Sequence, residues 1–289
     1  MSTAKAKKVS KKNGGADARY AHFKSIKVTR DGACATIEFT PPMLAHDKND
    51  NPPKPGRHRE LGMALSDLRF DNTCRVVVIT GKDDIFCMTA PNHPHFHGQT
   101  PGSMWDGLLA LQQTFQQIIE MEKPVIAKVN GGVKGFGSSL VFSCDFIVAR
   151  QDAVFCDHHL GMGDGNPAVG RPGAGIVPGD GGTIFVPLHM SPPLAREYLW
   201  LGKQLTGKQL YNRGCINAAV PKNKLDAACD KLVDALLRRP PYALAMAKRV
   251  FNRPAAERFN MLFDSGYIYE MMNKAQEGHY VGGRGTKTL

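Results

Sequence analysis

Residues 123–159 read KPVIAKVNGGVKGFGSSLVFSCDFIVARQDAVFCDHH. They predict an apolar strand, a glycine-rich turn, a short helix, a second apolar strand and then a third strand. Continuous apolar runs such as PVIAKV and FIVAR are typical of strands buried on both faces of a parallel sheet. Strands that alternate with helices in this order predict an α/β core with helices packed on it.

The flanking segments extend the same pattern. Upstream, an Asp-Gly hairpin, a helix, the strand CRVVVITG and a long amphipathic helix occupy residues 22–122. Downstream, a glycine- and proline-rich segment precedes a series of predicted helices that runs to about residue 276. The predicted organisation is a disordered basic tail over 1–20, the α/β core over 21–205 and a helical C-terminal region over 206–289.

Composition excludes several classes of protein. No apolar run reaches the roughly 18 residues that span a bilayer, and the lysine-rich N-terminus has no apolar segment typical of a secretory signal. The seven cysteines are scattered without a CxxC pair, so reduced thiols and a cytoplasmic location are expected. The net charge of +11 suits anionic small molecules. Nucleic acid is the less favoured partner because no RNA- or DNA-binding motif accompanies the charge.

The order of the pieces resembles the crotonase (enoyl-CoA hydratase/isomerase) superfamily. VVVITG precedes FCMTAP, KPVIAKVNG precedes GFGSSL, and VPGDGG precedes LGKQLTGKQLYNRG, over roughly residues 22–275. The resemblance implies a spiral of ββα units with a C-terminal helical region that forms homotrimers or hexamers. It also implies an oxyanion hole made by the backbone N–H groups of Ala90 and Phe136, which would stabilise an enolate.

The chain departs from the hydratase pattern at both positions of the acid/base pair. Hydratases use two glutamates, and the matching positions here are Ser139 and a position at or next to His159. The GIVPGDG motif and the histidines after FCD resemble instead the branch that contains 6-oxocamphor hydrolase and other β-diketone hydrolases. That resemblance implies catalytic roles for His159 (or His158), for Asp180 and for Glu270.

Simpler interpretations stand beside these roles. Only alternate residues of an extended segment face one side, which leaves at most one of His158 and His159 catalytic. Asp180 could cap the helix that starts near Gly182, and Glu270 could be a solvated helix residue. Three further residues are candidate substrate contacts: Ser139, His58 and Asp157. His58 is equally well interpreted as part of a basic surface turn.

Metal and nucleotide sites are not favoured. NHPHFH, residues 92–97, holds three alternating histidines, but its prolines and lack of a carboxylate favour a loop. The glycine-rich turns match neither a P-loop nor a dinucleotide fingerprint. No cofactor is expected beyond CoA as part of a substrate.

Three functions remain open at this stage. The first is hydrolytic C–C (retro-Claisen) cleavage of a β-dicarbonyl compound by a His/Asp pair that activates water. The second is a hydratase- or isomerase-type reaction on an acyl-CoA thioester with a rearranged acid/base set. The third is a non-catalytic or RNA-binding relative that uses the basic tail.

Overall fold

The computed structural model describes residues 15–40, 57–87, 101–160 and 176–276. The strands in these ranges are β1 (Gly15–Ala16), β2 (Ile26–Asp31), β3 (Cys34–Phe39), β4 (Val76–Thr80), β5 (Ile85–Cys87), β6 (Val125–Val129), β7 (Gly132–Lys134), β8 (Phe146–Arg150), β9 (Val154–Cys156), β10 (Leu205–Thr206) and β11 (Ala218–Val220). The helices are α1 (Arg57–Phe70), α2 (Pro101–Glu120), α3 (Phe136–Ser143), α4 (Gly182–His189), α5 (Pro192–Trp200), α6 (Gly207–Asn212), α7 (Leu225–Leu237), α8 (Pro241–Phe251) and α9 (Arg253–Gln276). The recurring order of two strands and a helix confirms the predicted α/β spiral.

The larger sheet contains the strands that the apolar runs predicted. Its order is β1-β2-β3-β4-β6-β8-β11, and the strands pair in parallel from β3 to β11. Every residue of β4 is buried, as expected for a strand covered on both faces. The β2–β3 hairpin turns at Gly32, which has φ +54°, so the predicted Asp-Gly turn is confirmed.

A second, smaller sheet was mostly missed by the sequence analysis. Its order is β10-β9-β7-β5, and only β9 was predicted as a strand. The segment predicted as a glycine-rich turn contains β7, which is three residues long. Strands this short show no alternation of apolar and polar residues, so sequence periodicity cannot detect them.

An aromatic cluster fixes the C-terminal helix α9 to the core. The Phe115 ring on α2 lies 4.9 Å from that of Phe185 on α4, and the stacked rings of Phe259 and Phe263 on α9 lie 4.6 Å apart. All four side chains are at most 1% exposed, and burial of each contributes about 1.5–3 kcal/mol. The rings of Phe115 and Phe185 both contact that of Phe259, so this packing holds α2 and α4 against α9.

The predicted tail is too long by six residues. Residues 15–20 were assigned to the disordered tail, but β1 pairs with β2 and a 3-10 helix spans Ala18–Tyr20. Tyr20 is buried, and Arg19 binds Asp17 and Asp71, so this segment has apolar and ionic contacts that its basic composition did not suggest. Residues 1–14 lie outside the described residues.

Two further expectations concern cysteines and membranes. All seven cysteines lie in the described ranges and are free thiols, as predicted. Among the described helices, none combines the length and the apolar character that crossing a bilayer requires.

Candidate active site

Three parallel strands of the smaller sheet end side by side. β5, β7 and β9 are neighbours and pair in parallel. Their carboxyl ends therefore lie at one edge, at Cys87, Lys134 and Cys156. The segments that follow these ends contain Ala90, Phe136 and Asp157 to His159. The smaller sheet is thus what brings the predicted site segments together.

The turn between β7 and α3 places the predicted donor Phe136 at the start of a helix. Gly135 has φ +53° and ψ −124°, a conformation that strains any residue with a Cβ. Phe136 is the first residue of α3, where an N–H has no acceptor within the helix and lies at the positive end of its dipole. A Cβ at Gly137 would lie 2.4 Å from the Cys87 carbonyl oxygen, so α3 begins against the end of β5. Ala90, the second predicted donor, lies outside the described residues.

The Phe136 side chain packs into the core. It is 4% exposed, and its ring lies 6.0 Å from the Phe115 ring. The His58 ring on α1 meets it edge-on at 4.1 Å between centroids. The core therefore accommodates the large Phe136 side chain, and His58, a predicted substrate contact, is partly buried against it rather than on a surface turn.

Asp157 contacts both the backbone and the ring of His159. Its Oδ1 atom accepts hydrogen bonds from the His159 backbone N–H at 3.1 Å and lies 2.7 Å from the His159 Nδ1 atom. Asp157 is fully buried, so the predicted substrate contact is instead a contact with His159. Because Nδ1 is directed at Asp157, the Nε2 side of the ring faces Asp180.

Asp180 lies on the other side of the same imidazole. The Asp180 Oδ2 atom is 3.4 Å from His159 Nε2, and Asp180 Oδ1 accepts a hydrogen bond from the Ser139 hydroxyl at 2.9 Å. Gly181, with φ +119°, is the N-cap of α4 and no side chain caps this helix. The capping interpretation of Asp180 is therefore wrong. Ser139, predicted to contact substrate, is fully buried and contacts Asp180.

Helix α9 braces the loop that carries Asp180. The Val177 N–H donates to the Asn273 side-chain oxygen at 2.9 Å, and a Cβ at Gly179 would lie 2.1 Å from the Gly266 carbonyl oxygen. Glu270 lies on the same face, because its Cβ would be 2.9 Å from that added atom. Glu270 is 3% exposed, so the interpretation as a solvated helix residue is wrong.

Burial and charge set the protonation of His159 and Asp180, which form a row with Asp157. Burial disfavours charged His159, but the two carboxylates and their hydrogen bonds outweigh it and raise the pKa of His159 well above 6.5. Burial alone would raise the pKa of Asp180, but the charge of His159 and the hydrogen bonds from His159 and Ser139 hold it at about 2. His159 is therefore an imidazolium between two carboxylates at neutral pH.

His158 lies beside this row rather than on the opposite side of the segment. Its ring is stacked on the His159 ring with centroids 5.7 Å apart and planes inclined by 16°, and both residues are buried. The prediction that alternate residues point apart is wrong because β9 ends at Cys156. Burial, then the charges of His159 and Lys134, lower the pKa of His158 to about 3.

One signal for the role of Asp157 was available in the sequence. An aspartate often accepts a hydrogen bond from the backbone N–H of the residue two positions later, in an Asx turn. In CDHHL, Asp157 lies two positions before His159.

Among the described residues no group of three His, Cys, Asp or Glu side chains is arranged to hold a metal ion. The histidines of residues 92–97 lie outside the described residues.

Comparison with known proteins gives relatives that share this fold. Carnitinyl-CoA dehydratase of Salmonella typhi is 28% identical over 212 residues, which are 72% of this chain and 74% of that protein. The crystal structure of an enoyl-CoA hydratase/isomerase from Mycobacterium paratuberculosis has a TM-score of 0.72 at 24% identity and covers 86% of this chain and 93% of its own.

A hydrolase is also among the similar structures. A β-diketone hydrolase from the cyanobacterium Anabaena, bound to (S)-3-oxocyclohexyl acetic acid, has a TM-score of 0.73 at 22% identity and covers 89% of this chain and 97% of its own. The model of the family described as Enoyl-CoA hydratase/isomerase matches residues 44–280. With this match over most of its length, and with the ββα spiral described above, the chain belongs to the enoyl-CoA hydratase/isomerase, or crotonase, family.

Proposed function

We propose that this crotonase-fold enzyme hydrolyses a C–C bond of a β-diketone. The observation that carries the proposal is the buried row of Asp157, His159 and Asp180, in a chain that has no glutamate at Ser139, at His159 or next to His159, the positions that match the glutamates of a hydratase. A histidine between two carboxylates suits the activation of water, because the carboxylates fix its tautomer and stabilise its protonated form.

The reaction begins with water held between the His159–Asp180 pair and a substrate carbonyl. The pair takes a proton from water while the oxygen attacks the carbonyl carbon. The C–C bond to the neighbouring α-carbon then breaks, and its electrons form an enolate on the second ketone. The backbone N–H groups of Ala90 and Phe136 hold the enolate oxygen. Glu270, close to the Asp180 loop, gives its proton to the α-carbon and is reprotonated with the proton that the His159–Asp180 pair took from water, so that water and diketone become a carboxylic acid and a ketone.

The resting proton on His159 must leave before the pair can act as a base. The carboxylates that stabilise the imidazolium in the transition state also stabilise it at rest. We therefore expect kcat/KM to rise with pH through a value well above the usual pKa of histidine.

Ring-opening of a bicyclic β-diketone tests the proposal. The substrate is the diketone that water would convert to 3-oxocyclohexyl acetic acid, the compound bound to the Anabaena structure. In heavy-oxygen water the product acid should gain one labelled oxygen by mass spectrometry. His159→Gln and Asp180→Asn should each abolish this turnover, whereas Asp152→Asn, at an exposed carboxylate paired with Arg150, should not. Wild-type turnover in the two row variants would refute the mechanism.

An acyl-CoA reaction is the second candidate, and the family and its carnitinyl-CoA dehydratase relatives favour it. In that case Asp180 and Glu270 would serve as the acid/base set. A thermal-shift measurement with crotonyl-CoA separates the two candidates, because a ligand at 100 times its Kd stabilises the fold by about 2.7 kcal/mol. Stabilisation together with hydration of crotonyl-CoA would favour the second candidate over diketone hydrolysis.

The C-terminal helices present an apolar face that fits self-assembly. Tyr242 is 81% exposed, Val250 77% and Phe251 85%, and such a patch is typical of an interface. We expect a homotrimer or a dimer of trimers, measured by light scattering at about three or six times the 31.6 kDa of one chain. Phe251→Asp should lower this mass, whereas Phe70→Asp, on α1 and 76% exposed, should not. A monomeric wild type would refute the assembly.

A further inference from the structure

His158 occupies the space next to the turn that carries Phe136. A Cβ added to Gly135 would lie 2.9 Å from His158 Cε1 and 3.4 Å from His158 Nδ1. The edge of the ring therefore rests on the backbone of Gly135, immediately before the first N–H of α3. His158 is stacked on His159 but is not one of the three residues of the water-activating row.

One nitrogen of this ring is left without a partner. Among the described residues, His158 Nδ1 is buried and makes no hydrogen bond. His158 as a whole is only 3% exposed. An unsatisfied buried polar atom destabilises a fold. An apolar side chain would fill the same space without that penalty, so the imidazole requires another explanation, and a hydrogen bond to a ligand supplies one.

The surroundings keep this imidazole neutral. Burial and the neighbouring charges of His159 and Lys134 hold the pKa of His158 at about 3. A neutral imidazole carries one N–H, which donates to an oxygen without giving up its proton. An imidazolium would be acidic enough to protonate an enolate oxygen and would compete with protonation at carbon.

We propose that His158 is a second catalytic histidine, whose neutral ring donates a hydrogen bond to the substrate carbonyl oxygen at the Gly135–Phe136 turn. This inference rests on the proposed function only in requiring a carbonyl oxygen at that turn, which a diketone and an acyl thioester both provide. The hydrogen bond strengthens as negative charge develops on the oxygen, and no covalent bond or proton is exchanged. The ring thus adds a side-chain donor to the backbone donors.

Two variants of the full chain separate this role from a structural one. His158→Leu removes the donor, and His158→Gln keeps one. Without ligand, His158→Leu should melt about 2 °C or more above the wild type, because it removes an unsatisfied buried nitrogen. With the diketone its kcat should fall on the order of 100-fold while KM changes little, and His158→Gln should recover part of the loss. A lower melting temperature in His158→Leu, with equal loss of kcat in both variants, would indicate a structural histidine and overturn the proposal.

Ligand binding to the wild type keeps the inference independent of diketone turnover. Side-chain NMR of isotope-labelled histidine should show His158 neutral at neutral pH, with its N–H signal shifted downfield by 3-oxocyclohexyl acetic acid or by butyryl-CoA. A shift with butyryl-CoA and no turnover of the diketone would refute C–C hydrolysis and leave His158 as a donor. A charged His158, or two bound ligands that leave its signal unmoved, would overturn the inference.

Discussion

Neutralising Asp157 should move the pH dependence of the reaction while leaving the site assembled. In Asp157→Asn the side-chain oxygen can still accept from the His159 N–H and Nδ1–H groups, which Asp157 Oδ1 contacts at 3.1 and 2.7 Å. The side-chain nitrogen of the asparagine takes the place of Asp157 Oδ2, which is buried and makes no hydrogen bond among the described residues. The substitution therefore removes a charge at nearly constant shape.

The size of the effect follows from Coulomb's law. The charges of the Asp157 carboxylate and the His159 ring are centred about 4 Å apart, which gives about 4 kcal/mol at an effective dielectric constant of about 20. Removing this attraction disfavours the imidazolium, so the pKa of His159 should fall. The acid limb of the kcat/KM profile should therefore move to lower pH. The plateau should also fall, because the imidazolium formed in the transition state loses one of its two carboxylates.

Titration and kinetics check this prediction separately. Histidine NMR is recorded from below the usual pKa of histidine to well above neutral pH, and kcat/KM for the diketone is measured over the same range. Asp152→Asn is the control. An unchanged or higher pKa of His159 in Asp157→Asn would refute the charged row itself. A lowered pKa with an unmoved kinetic limb would refute only the role of His159 as the base.

The same groups make folding stability depend on pH. The pKa of His159 is raised on folding, so its stabilising contribution is complete below its unfolded pKa near 6.5 and is lost as pH rises through the folded value. The pKa of Asp180 is lowered to about 2, so its contribution is present above its unfolded pKa near 3.8 and is lost as pH falls towards 2. Urea midpoints for wild type and Asp157→Asn should therefore converge at high pH, where His159 is neutral.

Three other variants test the support of the site. Gly135→Ala should destabilise the fold by about 1–3 kcal/mol in urea unfolding, since its Cβ would meet His158 Cε1 at 2.9 Å; Gly214→Ala, also at positive φ but with no atom within 4 Å, should lose less, and equal losses would contradict the contact. Ser139→Ala removes a hydrogen bond to Asp180 at 2.9 Å and should lower kcat about 10-fold; an unchanged kcat would count against the Asp180 role. Lys248→Met removes the buried ammonium that lies 2.7 Å from the Asp145 carboxylate and should destabilise the fold by about 3–5 kcal/mol; an unchanged melting temperature would contradict that value.

The larger sheet and the helices could be predicted from the sequence because their apolar patterns extend over enough residues to be recognised. β4 and β6 are five-residue apolar strands, and α7 and α8 have clear apolar faces. β5 and β7 are three residues long, and their identity as strands depends on pairing with partners distant in the chain. The sheet that assembles the site was therefore the part that local patterns could not predict.

The structure brings His159, Asp180, Asp157 and Ser139 together, but which of them contact one another could not be predicted from the sequence. His159 and Asp180 were expected to pair, and they meet at 3.4 Å. Asp157 and Ser139 were expected to face substrate, yet they contact His159 and Asp180. Sequence identifies chemistry by residue type, whereas the division between groups that react and groups that orient depends on which atoms the fold places behind which others.

The charge of the row has a consequence for product release. Two carboxylates and one imidazolium give a net charge of −1 in a buried site, and this becomes −2 when His159 loses its proton. A neutral diketone enters without charge repulsion, but the acid it forms is an anion beside Asp180. We therefore expect inhibition by 3-oxocyclohexyl acetic acid to weaken as pH rises through the pKa of His159. Asp157→Asn, which removes one negative charge, should bind the acid more tightly at a pH where His159 is protonated in both proteins. Weaker binding of the acid to that variant would show that repulsion by the row does not drive release.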